Sequence, residues 1–374
     1  MAGEMLYLAN LGVEILRLDA VAFTWKRLGT TCESQPEAHR LVRAFNALCR
    51  IAAPALVFKS EAIVHPDEVI SYVSTGEAQL SYNPLLMALS WEALATRDAT
   101  LLAQAVARRQ GLPAGCSWVN YVRCHDDIGW TFADEDAAEL GIDGGRHRRF
   151  LNAFYVARHP ASFARGLPFQ DNPKTGDCRI AGTCASLAGI EAGDEGGVDR
   201  VILLHAVALA SAGVPLLYLG DEVGQLNDLR YVDDPALAGD SRWAHRPFRP
   251  DALYEAAKDP ATDAGAISRG LARLVEARKS AKEFAGQDVV GFDAGERAIL
   301  AFLRPGDGSS VLALCNFADE PRHVAAARFS AFAPASRELV AGRAVDLSAG
   351  LDLPAHGVAW LRLAPRTERG RGGR

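Results

Sequence analysis

The sequence predicts an α/β chain in which a parallel sheet is followed by a separate antiparallel β domain. Over roughly the first 285 residues, apolar runs of strand length alternate with stretches of helical periodicity, the βα rhythm of a parallel sheet. From about residue 288 the pattern changes to short alternating apolar runs, VVGF, AILAFLR, SVLALCNF and VAWLRL, separated by Gly, Asp and Pro turns. A chain of 374 residues that is 49% hydrophobic has ample material for a large core.

The elements follow in order. EMLYLANL has helical spacing and stops at Gly12, and VEILRLD (13–19) is the first strand. Ser34-Gln-Pro-Glu37 reads as a capping box with proline in the first turn, ahead of Leu41, Phe45 and Leu48 at helical spacing. ALVFKSEA (55–62) is the second strand, QLSY (79–82) the third, and SWVNYVRCHDD (117–127) carries the fourth, after one long helical stretch from Leu85 to Arg109. Between about Gly129 and Gly197 the pattern dissolves into a Gly-, Asp-, Arg- and Pro-rich segment too long for a simple connection. Order returns with a helix over 198–213, closed by Gly213, and the strand PLLYLGDE (215–222). Five parallel strands are expected, at 13–18, 56–60, 79–81, 118–122 and 215–219. A closed (β/α)8 barrel needs eight, so the sheet is either open or the later part of a barrel, with two unpaired edges.

Composition narrows the function. Lys plus Arg number 40 against 46 Asp plus Glu, a net charge of −6 that argues against a nucleic-acid reader. The seven cysteines, Cys32, Cys49, Cys116, Cys124, Cys178, Cys184 and Cys315, form no CxxC pair, as expected of reduced thiols in a cytoplasmic protein. No secretory leader or membrane-spanning run is read, and the final residues, 366–374, are expected to be a disordered Gly/Arg tail.

Three strand ends concentrate polar groups. Alternation puts Arg17 and Asp19 on one face at the end of the first strand, and the cation lowers the pKa of the carboxyl. Glu61 occupies the corresponding place on the next strand, where the bland alternative is a helix cap or a pair with Lys59. Neighbouring strands lie about 4.8 Å apart, which suits the carboxylate separation of about 5–5.5 Å used in retaining glycosidic chemistry. The third end, VRCHDD, brings Arg123, His125, Asp126 and Asp127. A carboxylate there could stabilise an oxocarbenium-like transition state while the imidazole donates to sugar hydroxyls. A metal site at His125, Asp126 and Asp127 is the rival reading, weakened by the lack of HxH or HExxH spacing.

LRLDAVAFTWK, FKSEAIVH, NYVRCHDDIGWTF and PLLYLGDEVG resemble four successive signature regions of the α-amylase superfamily. Within it, FADEDAAELGI, FARGLPFQDNPKTGDCRIAGT and DSRWAHRP look like the amylosucrase family of sucrose-using glucosyltransferases. The resemblance implies a partial (β/α)8 barrel, about the fourth to eighth strands, over 1–285, with an inserted loop subdomain at 128–197 and a C-terminal antiparallel β-sandwich over 286–365. It implies Asp19 as nucleophile, Glu61 as general acid/base and Asp126 as transition-state stabiliser. Arg17, His125, Asp127, Arg148, Arg179 and Arg242 would bind substrate. The implied reaction is retaining transfer of glucosyl from sucrose to an α-1,4-glucan with release of fructose, using no metal or organic cofactor. A sucrose hydrolase and a catalytically incompetent half-barrel are the alternatives. Family members carry three earlier barrel strands and an aspartate that pairs with the pocket arginine. Arg242 is therefore expected to lack its partner, leaving part of the glucosyl subsite open to water.

Overall fold

The computed structural model describes residues 1–172, 174 and 176–366. The predicted tail, apart from Arg366, lies outside the described residues. Five parallel strands form one sheet in the order β1-β2-β3-β4-β7, with β1 Ile15–Leu18, β2 Val57–Ser60, β3 Leu80–Tyr82, β4 Ser117–Tyr121 and β7 Val214–Leu216. Each falls at the expected place. Pairing runs Leu18 to Ser60, Ser60 to Ser81, Ser81 to Trp118 and Asn120 to Pro215, so all C-terminal strand ends reach one rim.

The helix Pro84–Thr96 is predominantly apolar, and every residue from Pro84 to Ala95, Ser90 and Glu92 included, is buried. Such a helix must be enclosed rather than lie on a surface. Trp91 donates to the Val122 carbonyl at 2.9 Å, and the Tyr155 hydroxyl donates to the Trp91 carbonyl at 2.5 Å, tying β4 to the inserted segment. The expected single helix from Leu85 to Arg109 is two, Pro84–Thr96 and Thr100–Arg108, because Arg97 takes a left-handed conformation at φ 57°. The expected capping box also fails. Gln35 is the N-cap of the helix Pro36–Ala52 without a side-chain cap bond, while Ser34 Oγ turns away to donate to Glu68 at 2.8 Å.

The segment after β4 is structured. It holds the helices Asp134–Glu139 and Gly144–Tyr155 and an antiparallel hairpin of β5 Leu167–Asn172 and β6 Asp177–Ala181, joined to the loop after β4 by a bridge between Ile128 and Ile180. The helix Gly197–Ala210 then leads into β7 through Gly213 at φ 126°, where a Cβ would meet the Trp118 carbonyl oxygen at 2.4 Å, so a side chain cannot fit.

The C-terminal strands are β8 Val290–Gly291, β9 Ile299–Pro305, β10 Ser310–Asn316, β11 Arg322–Val324, β12 Ala335–Glu338, β13 Arg343–Asp346, β14 Leu351–Leu353 and β15 Val358–Leu363. Six form an antiparallel sheet, β13-β12-β15-β10-β9-β8, and β11 pairs with β14. Strand alternation divides the apolar side chains. Leu300, Phe302, Val311, Ala313, Cys315 and Trp360 join the main core with the helix Gly197–Ala210. Ile299, Ala301, Leu312, Leu314, Ala359 and Leu361 face the opposite way and pack on Val324, Leu351 and Leu353. One core thus runs from the parallel sheet into the β region.

Candidate active site

The rim of the parallel sheet collects the carboxylates. Leu18 and Ser60 are the last paired residues of β1 and β2, so Asp19 and Glu61 leave the sheet side by side. The backbone closes around them: Glu61 N–H donates to the Leu18 carbonyl at 3.1 Å and Val21 N–H to the Glu61 carbonyl at 3.0 Å. Arg17 binds both acids, Nη1 to Asp19 Oδ1 at 2.7 Å and Nη2 to Glu61 Oε2 at 2.9 Å. The Ala20 N–H also donates to Glu61 Oε2 at 2.9 Å. Lys59, the alternative partner for Glu61, lies over the Tyr82 ring at 4.1 Å from its centroid.

Both carboxyl groups share the Arg17 guanidinium, and their environments push their pKa values in opposite directions. Asp19 is held below the usual carboxylate range by the hydrogen bond from Glu61 and by Arg17. Glu61 is pushed up by burial and by its contact with Asp19, against the lowering pull of Ala20 and Arg17. The side chain of Asp19 is 75% exposed and that of Glu61 13%, so the desolvation penalty falls mainly on Glu61. The surroundings thus favour the ionised form at Asp19 and the protonated form at Glu61, relative to free carboxyl groups.

Asp126 forms the third corner. Its Oδ2 lies 3.7 Å from Arg17 Nη2 and 3.0 Å from His125 Nε2, and its Oδ1 lies 3.2 Å from Arg242 and 3.1 Å from Arg246. Burial lowers the pKa of His125, favouring the neutral imidazole. Asp127 is pushed up by burial, its side chain 6% exposed, and pairs with Arg179 at 3.4 Å. Together with Tyr82, Tyr121, Met87, Ile63 and Cys124, these groups line an open cavity of about 370 Å³.

Of the nine residues to which the resemblance gives a role, eight converge here, seven on the cavity wall and Arg17 behind Asp19 and Glu61. Arg148 does not. On the helix Gly144–Tyr155 it donates to Asp134 at 2.6 Å and to the Phe132 carbonyl at 3.2 Å, away from the cavity. Arg242, expected to lack the family's aspartate, has other carboxylates beside it. Asp240, two residues earlier, holds it at 2.8 Å, and the guanidinium stacks over Phe169 at 4.3 Å. Sequence reasoning missed Arg246 and Asp240. The signal was the second arginine of SRWAHR, one helical turn beyond Arg242, in a segment without periodicity.

Cys124, His125 and Asp126 have donor atoms close enough for a metal ion, as do His65, Asp67 and Glu135. The first set is surrounded by Arg17, Arg242 and Arg246, and the second is threaded by Arg109, which holds Asp67 at 2.6 Å. Guanidinium groups already neutralise these acids and oppose a dication. No helix among the described residues is long and apolar enough to cross a membrane.

No family model matches the chain. It is 27% identical over 327 residues to glucosylglycerate phosphorylase of Escherichia coli, an alignment covering 85% of this chain and 56% of that protein. Against trehalose synthase of Thermus thermophilus the identity is 24% over 341 residues, 83% of this chain and 32% of that one. The chain thus spans about half, or less, of the curated relatives it matches. Among solved structures, sucrose 6F-phosphate phosphorylase of Thermoanaerobacter thermosaccharolyticum superposes with a TM-score of 0.65 at 17% identity, over 84% of this chain and 58% of that one. The α-amylase of Geobacillus thermoleovorans gives a TM-score of 0.57 at 12% identity, over 96% and 62%. The chain has the fold of part of an α-amylase-type barrel with its C-terminal β domain.

Proposed function

We propose that the site performs retaining glucosyl transfer from sucrose, in the manner of amylosucrase, within a barrel over 1–285 and a C-terminal β domain over 286–365. The observation that carries this reading is the Asp19–Arg17–Glu61 triangle, in which one guanidinium holds two neighbouring rim carboxyls, an exposed Asp19 with lowered pKa and a buried Glu61 with raised pKa. Retaining chemistry needs that pair on one sugar. Asp19 attacks the anomeric carbon of the glucosyl unit while Glu61 delivers its proton to the departing fructosyl oxygen. The covalent glucosyl ester on Asp19 is then released by an acceptor hydroxyl whose proton Glu61 takes back.

In this reading Asp126, fixed by His125 and two arginines, stabilises the positive charge that develops on the ring. In this reading Asp127 and Arg179, paired at 3.4 Å on the cavity wall, contact the leaving fructose or the acceptor. The resemblance to amylosucrase supports an α-1,4-glucan end as that acceptor and a cytoplasmic setting, with sucrose hydrolysis as the outcome when water enters. Neither a metal ion nor an organic cofactor takes part.

A second reading, a carbohydrate-binding half-barrel without turnover, is favoured by the 75% exposure of the Asp19 side chain and the open flank beside it. Incubation with sucrose and glycogen separates the two. Glucosyl transfer predicts released fructose and its loss in Asp19→Asn. Binding of glycogen without fructose release selects the half-barrel.

A further inference from the structure

His245 is buried, 1% exposed, and lies behind the cavity wall rather than on it. It ends the 3-10 turn Ser241–His245, between the arginines 242 and 246 that bind Asp126. Its ring joins two separate segments. Nδ1 accepts from the Gly182 N–H at 2.9 Å, just past β6, the strand that carries Arg179. Nε2 lies 3.0 Å from the carbonyl oxygen of His125.

These partners fix the tautomer. A backbone N–H only donates, so Nδ1 bears no proton, and a backbone carbonyl only accepts, so Nε2 carries the hydrogen. Burial and then the Arg123 cation, with Arg246 and Arg242 acting in the same direction, press the imidazole pKa down to about 3, against the stabilising pull of the His125 carbonyl. The ring is neutral throughout the working pH range. The same His125 carbonyl accepts from Arg246 Nε at 2.6 Å, and Arg123 donates to the carbonyl of His245 at 3.2 Å. The peptide that precedes Asp126 is thereby held from outside its own loop.

We propose that His245 is a positioning residue for glucosyl transfer: its neutral Nε2–H tautomer staples the His125–Asp126 peptide to the Arg179 strand and so sets Asp126 against the Asp19–Glu61 pair. This rests on the glucosyl-transfer reading above. A rigid ring with an acceptor on one edge and a donor on the other spans the two segments. Phenylalanine keeps the shape and loses both bonds, leaving the Gly182 N–H without its partner. Glutamine restores an acceptor and a donor on a flexible stem.

The test measures kcat and KM for fructose release from sucrose in the wild type, His245→Phe and His245→Gln. It also records ¹⁵N-histidine spectra and exchange of the Gly182 amide. Displacing the Asp126 peptide predicts a loss of roughly ten- to hundredfold in kcat for His245→Phe with little change in KM, and substantial recovery in His245→Gln. The spectra should show Nδ1 unprotonated and Nε2 protonated from pH 8 to about pH 5. The Gly182 amide should be protected in the wild type and lose protection in His245→Phe. An Nδ1–H tautomer, a ring that becomes charged in that range, or an active His245→Phe with unchanged kcat overturns the proposal while leaving the transfer reading intact. A wild type that releases no fructose overturns the transfer reading and the catalytic role of His245 with it.

Discussion

At the scale of single residues, the two acids differ because of solvent. Asp19 stands in water beside Arg17, while Glu61 is tucked against the Ala20 backbone and loses hydration on ionising. Transfer needs Asp19 ionised and Glu61 protonated. Because the Asp19 pKa is lowered and that of Glu61 raised, fructose release should fall only when pH drops through the depressed Asp19 value or climbs through the elevated Glu61 value. A pH profile of kcat/KM checks this. In Glu61→Gln the rate should fall roughly 10²- to 10⁴-fold and the alkaline limb should vanish, since no acid remains to be deprotonated. Persistence of that limb would assign it to another group. These acids were legible in the sequence because each ends a short apolar strand, where side-chain alternation and the rim position can be read directly. Arg246 and Asp240 were not, since they sit in an irregular segment whose direction is set only by contact with the VRCHDD loop. Arg148 was overread: in the cation-rich GRHRRF, identity says nothing about which arginine turns inward.

At the scale of elements, burial of the helix Pro84–Thr96 anchors the sheet to the inserted segment. Trp91 is fully buried, edge-on to Tyr155 with centroids 5.6 Å apart, and Trp91→Ala should cost about 3–5 kcal/mol in denaturant unfolding. Loss of less than about 1 kcal/mol would mean that the site collapses around the gap. The five parallel strands were legible because apolar runs and turn residues bound each of them. The break at Arg97 was not, for nothing local demands a left-handed arginine. It faces Asp319 at 2.8 Å, just past β10, a contact made more than 200 residues away in sequence. Asp319 is held well below the usual carboxylate range by His356 and then Arg97, with Arg200 nearby. A depressed folded-state pKa gives stability that is present above the unfolded value and lost as pH falls through the folded one. Asp319→Asn should therefore lower stability by about 1 kcal/mol at neutral pH, discounted for its half-exposed side chain, with the difference shrinking below about pH 4. Thermal melts of both proteins across that range check the sign, and a penalty that grows towards acid contradicts it.

At the scale of the whole molecule, the parallel sheet has two edges unpaired among the described residues, β1 and β7, and they expose apolar side chains: Ile15 is 51% and Val214 50% exposed. Unpaired strand edges of this kind recruit other strands. The chain should self-associate with concentration, and Ile15→Lys with Val214→Lys should suppress that in light scattering without altering circular dichroism. Unchanged association would place the sticky surface elsewhere. The count of five strands already announced these edges, but the shared core between sheet and β region was not foreseeable, because alternation in a strand reveals two faces without saying what each one meets.

The central claim is that Asp19 carries the glucosyl group through the reaction. Glu61→Gln should accept α-glucosyl fluoride, whose leaving group needs no acid, and stall once the sugar is attached. Mass spectrometry of the quenched protein is then expected to find one glucosyl unit on the peptide containing Asp19. An unmodified Asp19 peptide, or a sugar carried on any other residue, would contradict the account.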